Sequence, residues 1–403
     1  MVERKPVIVT FKEKADPDIV QKSAEKAKVS FYAMPTLRMA ELAPDVEPES
    51  LGIVIESVNA VSASLPDSAI EDLKKNPRVE SVEPDGEIYA FEQPALMDPT
   101  LRPELLPIDR RLIFPLRCGY TDAIPWGVDR IDAERAWEVT QGKGIKVAVV
   151  DTGIDYTHLD LRPNYRGGIS FVPTERSPMD YNRHGTHVSG TIAAARNCLG
   201  VVGVAPSAYL YAVKVLNSRG SGMWSYLLAG LEWCVRNRMD VVNMSLGAST
   251  APTIIERICD FAYRNNILLV AAAGNTGGAV GYPARYRSVI AVSATTASNT
   301  LAAFSSRGPE VELCAPGDQV YSTLPGNKYG ILSGTSMAAP HVTGVGALAI
   351  SSHRYAIPMK GVEIIRKLLC WTADNLGLPG RDPLYGYGLV DAEQASFERR
   401  LPP

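Results

Sequence analysis

The stretch IKVAVVD, Ile145 to Asp151, is a short apolar run that ends on a carboxylate. It is rich in β-branched residues and has no period-two alternation, the pattern of a strand covered on both faces. Four later runs share that texture: LYAVKVL (210–216), VVNMSLG (241–247), ILLVAAAGN (267–275) and VIAVSAT (289–295). Helical segments separate them, so the expected architecture is α/β, three layers with a mostly parallel central sheet. In such sheets ligands bind at the carboxyl ends of the strands, where Asp151, Ser245 to Gly247 and Gly274 fall.

Outward from this sheet the texture changes. Residues 7–91 alternate short strand and helix signals: VIVTF (7–11) as a strand, Asp16 to Val29 as a helix, LGIVIESV (51–58) as a strand, then a helix between Pro66 and Pro77 and two closing strands, VESVEP and GEIYAF. This order predicts a small ferredoxin-like α+β unit with helices on one face of an antiparallel sheet. Residues 92–120 contain Pro94, Pro99, Pro103, Pro107 and Pro115, which exclude either regular period and predict an exposed linker. The expected division is therefore 1–91, a linker 92–120, and 121–403.

A chain of 403 residues suits two domains, and a net charge of −3 without long charge runs argues against a polyanionic partner such as nucleic acid. The opening MVERKPVIVTFKEK has no apolar core of an export signal, and no run is long enough to cross a membrane. Read alone, the sequence predicts a soluble cytoplasmic monomer. Six widely spaced cysteines with no C-x-x-C pair predict free, partly buried thiols.

Three segments place polar groups in otherwise small or apolar sequence: VVDTGID with Asp151, RHGTHVSG with His184 and His187, and SGTSMAAPHVTG with Ser336. A carboxylate at a strand end, an imidazole at a helix mouth and a serine before a helix are the parts of an activated nucleophile. Each segment has a plainer reading. A two-aspartate protease needs a second DTG turn, and there is one. A metal-binding histidine pair lacks a third ligand at suitable spacing and the Glu of H-E-x-x-H. GTSMA lacks the second glycine of the G-x-S-x-G elbow. GVGALA (344–349) imitates a dinucleotide loop but lies within a small-residue helix. A non-catalytic scaffold is countered by the completeness of the set.

Taken together and in this order, the three motifs resemble those of the subtilisin family of serine endopeptidases across roughly Asp122 to Ala395. The resemblance implies a triad of Asp151, His184 and Ser336, with Asn275 as the side-chain donor to the oxyanion and the Ser336 N–H as the second. Motif position selects His184, while His187 and His341 read as packed core residues. Substrate is expected as an extended strand between Ser218–Gly222, with Gly220 and Gly222, and Ser245, Leu246 and Gly247. Gly274 and Gly281 resemble walls of an open primary pocket, which implies a preference for large apolar residues before the scissile bond. Trp224 and Leu246 match an apolar pocket three residues upstream. Thr276 stands where several relatives carry an acid.

The resemblance further implies calcium, a hard cation suited to oxygen ligands, held by Asp160, Asn197 and the carbonyls of Ala195, Leu199 and Val201, with Asp122 as a further donor. No organic cofactor is expected. The N-terminal unit resembles the family's inhibitory propeptide, so protein substrates and the chain's own N-terminal domain are the expected partners, and self-cleavage after Phe91 the expected maturation. Most of the family is exported, which makes secretion the alternative to the cytoplasm.

Overall fold

The strand ending at Asp151 lies in the middle of a seven-stranded parallel sheet. In a computed structural model that describes residues 3–23, 30–32, 51–91, 122–354 and 361–398, the sheet is built from β7 (Lys146–Asp151), β8 (Tyr165–Ser170), β9 (Tyr209–Lys214), β11 (Val241–Met244), β13 (Leu268–Ala272), β14 (Ile290–Thr295) and β15 (Val311–Pro316). Their spatial order is β15-β14-β13-β11-β7-β9-β8. Both faces are covered, which explains the missing alternation. Val147 and Val149 of β7 join one core with helices α5 (His184–Ala193) and α8 (Thr335–Ser352). Ala148 and Val150 join a second core with α6 (Trp224–Arg236) and α7 (Thr253–Arg264).

The N-terminal unit forms a five-stranded sheet in the order β2-β3-β4-β1-β5, from β1 (Lys5–Phe11), β2 (Ser30–Tyr32), β3 (Leu51–Ile55), β4 (Ala60–Leu65) and β5 (Val79–Pro84). Its pairings are antiparallel apart from β2 with β3. The expected strand 51–58 stops at Ile55, because Glu56–Val58 form a short 3-10 turn that Asn59 closes in the left-handed region. The helix expected over Asp16 to Val29 is present over Pro17–Ser23, and residues 24–29 lie outside the described residues.

Alternation along β1 divides the unit's two faces. Val7, Val9 and Phe11 pack with Val20 and Leu73 under α1 (Pro17–Ser23) and α2 (Asp67–Lys75). Ile8, with Ile53, Ile55 and Val58, joins the core that contains α6 and α7 of the large domain. A face that would otherwise be solvated is buried between domains, so the hydrophobic effect holds the two units together.

From this interface β6 (Glu87–Ala90) extends into a three-stranded sheet, antiparallel to both neighbours, between β10 (Ser221–Met223) and β12 (Leu246–Gly247). Residues 92–121, including the expected linker, lie outside the described residues.

The free-thiol expectation requires one correction. Cys234, Cys259, Cys314 and Cys370 are free, but Cys198 is disulfide-bonded. Wide sequence spacing gave no sign of this, since loops bring cysteines together independently of spacing. Cys118 lies outside the described residues.

Candidate active site

Asp151 ends β7 and His184 opens α5, and both are fully buried. The His184 Nδ1 lies 2.8 Å from one Asp151 carboxylate oxygen and 3.0 Å from the other. The Thr152 N–H donates to Asp151 Oδ1 at 2.6 Å, fixing the carboxylate plane. This close approach depends on Gly185, where a Cβ would meet the Gly153 carbonyl and lie 3.2 Å from Asp151 Oδ1. The HG pair of the motif is therefore a steric requirement as well as a chemical one.

Ser336 is the second residue of α8 and is fully buried. Its hydroxyl donates to the Ser245 carbonyl at 2.9 Å, and the Ser245 hydroxyl in turn donates to the Ser336 carbonyl at 2.9 Å. The Phe91 N–H donates to that same Ser245 carbonyl at 3.2 Å. One oxygen thus holds both the serine and the residue at the end of β6.

The Asn275 amide is oriented by Thr335. Its Oδ1 accepts from the Thr335 N–H at 2.9 Å and the Thr335 hydroxyl at 2.8 Å. Its Nδ2 consequently points at the Phe91 carbonyl oxygen, 2.6 Å away. Thr335 also receives the Gly274 N–H on its hydroxyl at 3.0 Å, linking the β13 end to the α8 start. Thr335 was not among the residues singled out from sequence; only its position beside Ser336 could have marked it.

The segment Glu87 to Phe91 fills the groove as a peptide would. Gly220 accepts from the Ala90 N–H at 2.9 Å, and Gly222 sits opposite Ile88. Ile88 is fully buried in one cluster with Trp224 and Leu246. The Phe91 ring lies against Gly247 and Gly281, where an added Cβ would stand 2.9 and 3.4 Å from it. Any side chain at Gly247 would intrude on the ring and on the Tyr282 carbonyl.

His187 and His341 are apart from this chemistry. His187 points Nε2 at the Val320 and Gly330 carbonyls, at 3.0 and 3.2 Å, and burial pushes its pKa down to about 3. His341 directs Nδ1 to the Met337 carbonyl at 2.8 Å, and burial lowers it to about 4. Both are neutral rings.

The expected calcium ligands converge on one loop. Asp160 is fully buried, and its carboxylate accepts from the Tyr329 hydroxyl at 2.8 Å and the Val201 N–H at 3.1 Å, with the Asn197 amide 3.3 Å away. Asp122 accepts from the N–H groups of Asn197 and Leu199. The Ala195 N–H donates to the Asp160 carbonyl. Burial pushes the Asp160 carboxyl up to about 6, against the hydrogen bonds it receives. A buried carboxylate with a second carboxylate, Asp122, and an amide close by would suit a hard oxygen-seeking cation, which would restore its ionised form, although among the described residues no three His, Cys, Asp or Glu side chains cluster there.

Asp151 and His184 are bonded to each other at the carboxyl edge of a parallel sheet, and the Ser336 hydroxyl shares the Ser245 carbonyl with the Phe91 N–H, an arrangement that suits the class of serine hydrolases. Residues 142–388 match the subtilase family and residues 6–90 match the peptidase inhibitor I9 family. The chain is 43% identical to subtilisin E of Bacillus subtilis over 346 residues, 84% of this chain and 81% of that protein. It is 47% identical to a subtilisin of Bacillus pumilus over 281 residues, 68% of this chain and 99% of that protein. It is 42% identical to the M-protease of Shouchella clausii over 343 residues, 85% of this chain and 80% of that protein. The chain belongs to the subtilase family: it is a serine endopeptidase made as a zymogen with an inhibitor-type propeptide domain.

Proposed function

We propose that Ser336 is the nucleophile of this endopeptidase, His184 its base, Asp151 the group that orients the base, and Asn275 the side-chain oxyanion donor. The observation that carries the reading is the Phe91 carbonyl held at 2.6 Å by Asn275 while the Phe91 N–H bonds to Ser245. The propeptide thus lies in the groove as its own first substrate. In the attack the Ser336 proton leaves its bond to the Ser245 carbonyl for His184 Nε2, and the serine oxygen bonds to the Phe91 carbonyl carbon. Charge then develops on an oxygen already facing the Asn275 amide, so little reorganisation is needed. His184 next returns its proton to the departing Glu92 nitrogen, leaving an acyl-enzyme on Ser336 that water hydrolyses.

The same pose supports a preference for large apolar residues before the scissile bond, as Phe91 occupies the glycine-walled pocket. It also supports a second apolar preference at the position of Ile88. We further propose a division at Phe91 between a propeptide, 1–91, and the remainder, with linker 92–120 and a catalytic domain from 121. A later cut within Leu105–Cys118 falls outside the described residues.

Calcium is proposed at Asp160, Asn197 and Asp122, with the Ala195, Leu199 and Val201 carbonyls. Bound there, it supplies fixed positive charge that holds the loop. Among the described residues no helix is long and apolar enough to cross a membrane. The disulfide at Cys198 favours an oxidising compartment over the cytoplasm.

The test is side-by-side expression of wild type and Ser336→Ala, with new N-termini determined by mass spectrometry. The wild type should yield a fragment ending at Phe91, and Ser336→Ala should stay intact. Equal processing of pure Ser336→Ala would remove the self-cleavage reading.

A further inference from the structure

Lys214 is fully buried, yet it contributes nothing to the chemistry described so far. It stands at the end of β9, paired in register with Asp151 at the end of β7. Its ammonium donates to the Thr152 carbonyl, the residue next to Asp151, and lies 2.9 Å from Glu175 Oε2. The exposed ring of Tyr181 lies over it, 5.8 Å from centroid to Nζ. The other oxygen of Glu175 accepts from the Ser218 N–H at 2.8 Å. Ser218 begins the loop that reaches Gly220, whose carbonyl binds the Ala90 N–H of the segment in the groove.

These contacts form an unbroken path from the Asp151 turn, through Lys214 and Glu175, to the edge that pairs with substrate. A second tie runs parallel to it. Asn182 donates to the Ser218 carbonyl at 3.0 Å and accepts from the His184 N–H at 3.2 Å. Stability alone is a poor reason for such a pair, because burying the Lys214 ammonium is costly and an apolar pair of similar volume serves as well or better. Geometry is a better reason, since each member of the pair is also tied to the backbone, Lys214 to the Thr152 carbonyl and Glu175 to the Ser218 N–H, which restricts the arrangements open to it.

We propose that the Glu175–Lys214 ion pair is a positioning device that sets the substrate-edge loop, Ser218 to Gly220, against the Asp151–His184 pair. Glu175 and Lys214 are then positioning residues for extended substrates. The proposal rests on the assignment of Ser336 and His184 made above.

The decisive variant is Glu175→Gln, which keeps an acceptor for Ser218 but removes the charge facing Lys214. Wild type, Glu175→Gln, Lys214→Met and the double variant are titrated with a fluorophosphonate, so that rates refer to active sites. Each is assayed on a peptide filling the positions of Ile88 to Phe91 and on a phenylalanine ester filling the last alone. Misplacement of reacting groups by about 1 Å costs up to a hundredfold, so partial loosening of one edge should lower kcat/KM on the peptide about tenfold. The ester should change less than about twofold in Glu175→Gln, because it does not use the edge. The double variant should be no slower on the peptide than the slower single, as expected for two residues acting as one unit.

Wild-type constants on both substrates in Glu175→Gln, with only a lower melting temperature, would overturn the proposal. So would an equal fall on peptide and ester. If Lys214→Met does not fold, Glu175→Gln still decides. A wild type that takes no fluorophosphonate label would overturn the Ser336 assignment and this proposal with it. A labelled wild type with unaffected variants overturns this proposal alone.

Discussion

At the residue scale the two histidines of one helix turn separate by what each ring nitrogen faces. His184 faces the Asp151 carboxylate, whereas His187 faces two backbone carbonyls of the β16 (Val320–Leu324) and β17 (Lys328–Leu332) hairpin. Substituting His184 by Ala should lower kcat by several orders of magnitude with little change in melting temperature. His187→Ala should instead cost about 2 kcal/mol of stability, measured by denaturant unfolding, through a cavity and the loss of an N–H shared between two carbonyls. Asn275→Ala should lower kcat by roughly a hundredfold to a thousandfold, the size measured for removal of one such donor in subtilisin. An unchanged kcat would take Asn275 out of the oxyanion site.

At the scale of elements, the inhibitor domain supplies what two helices of the catalytic domain lack. Neither α6 nor α7 has a side-chain cap of its own at Met223 or Pro252. Asp85 accepts from the Ser225 N–H at 2.9 Å, and Glu83 accepts from the Thr253 N–H at 3.0 Å and its hydroxyl at 2.6 Å. Carboxylates at helix N-termini satisfy open N–H groups and suit the helix dipole.

These contacts make propeptide binding depend on pH. Burial pushes Asp85 up to about 6, despite the bonds from Ser225. In the free domain Asp85 returns to an ordinary value near 4, so the bound state holds its proton more tightly. Binding is therefore strongest below about pH 4 and weakens as pH rises through about 6, by roughly tenfold to a hundredfold. Titration calorimetry of the 1–91 fragment against the Ser336→Ala catalytic domain should show this slope, and Asp85→Asn should flatten it. A slope that survives Asp85→Asn assigns the dependence elsewhere.

At the scale of the whole molecule, the loop around Asp160 ties the α5 end to the β16–β17 hairpin through Tyr329. Chelator should lower the melting temperature of the processed enzyme, since a cation bound only to the folded state stabilises it by mass action. Asp160→Asn should abolish the difference between calcium and chelator. Identical melting of the wild type in both would leave calcium without a structural role here.

What the sequence alone determined was the parallel sheet, and it singled out the candidate reactive groups. Both sides of β7 are apolar because both are covered, and side chains such as Asp151, His184 and Ser336 stand out against small neighbours. Tertiary structure decided the rest, because the causes lie far apart in the chain. Thr335 turns the amide of Asn275 across 60 residues, and the Ser245 carbonyl meets Ser336 across 91. Glu175 joins the Asp151 strand end to the substrate edge over 43 residues. Cys198, expected free, is bonded, and Asp85, which no local pattern marks, is buried against a helix of another domain. Hydrogen-bond partners, burial and charge pairing arise only when separate strands are brought into contact, so no local pattern records them.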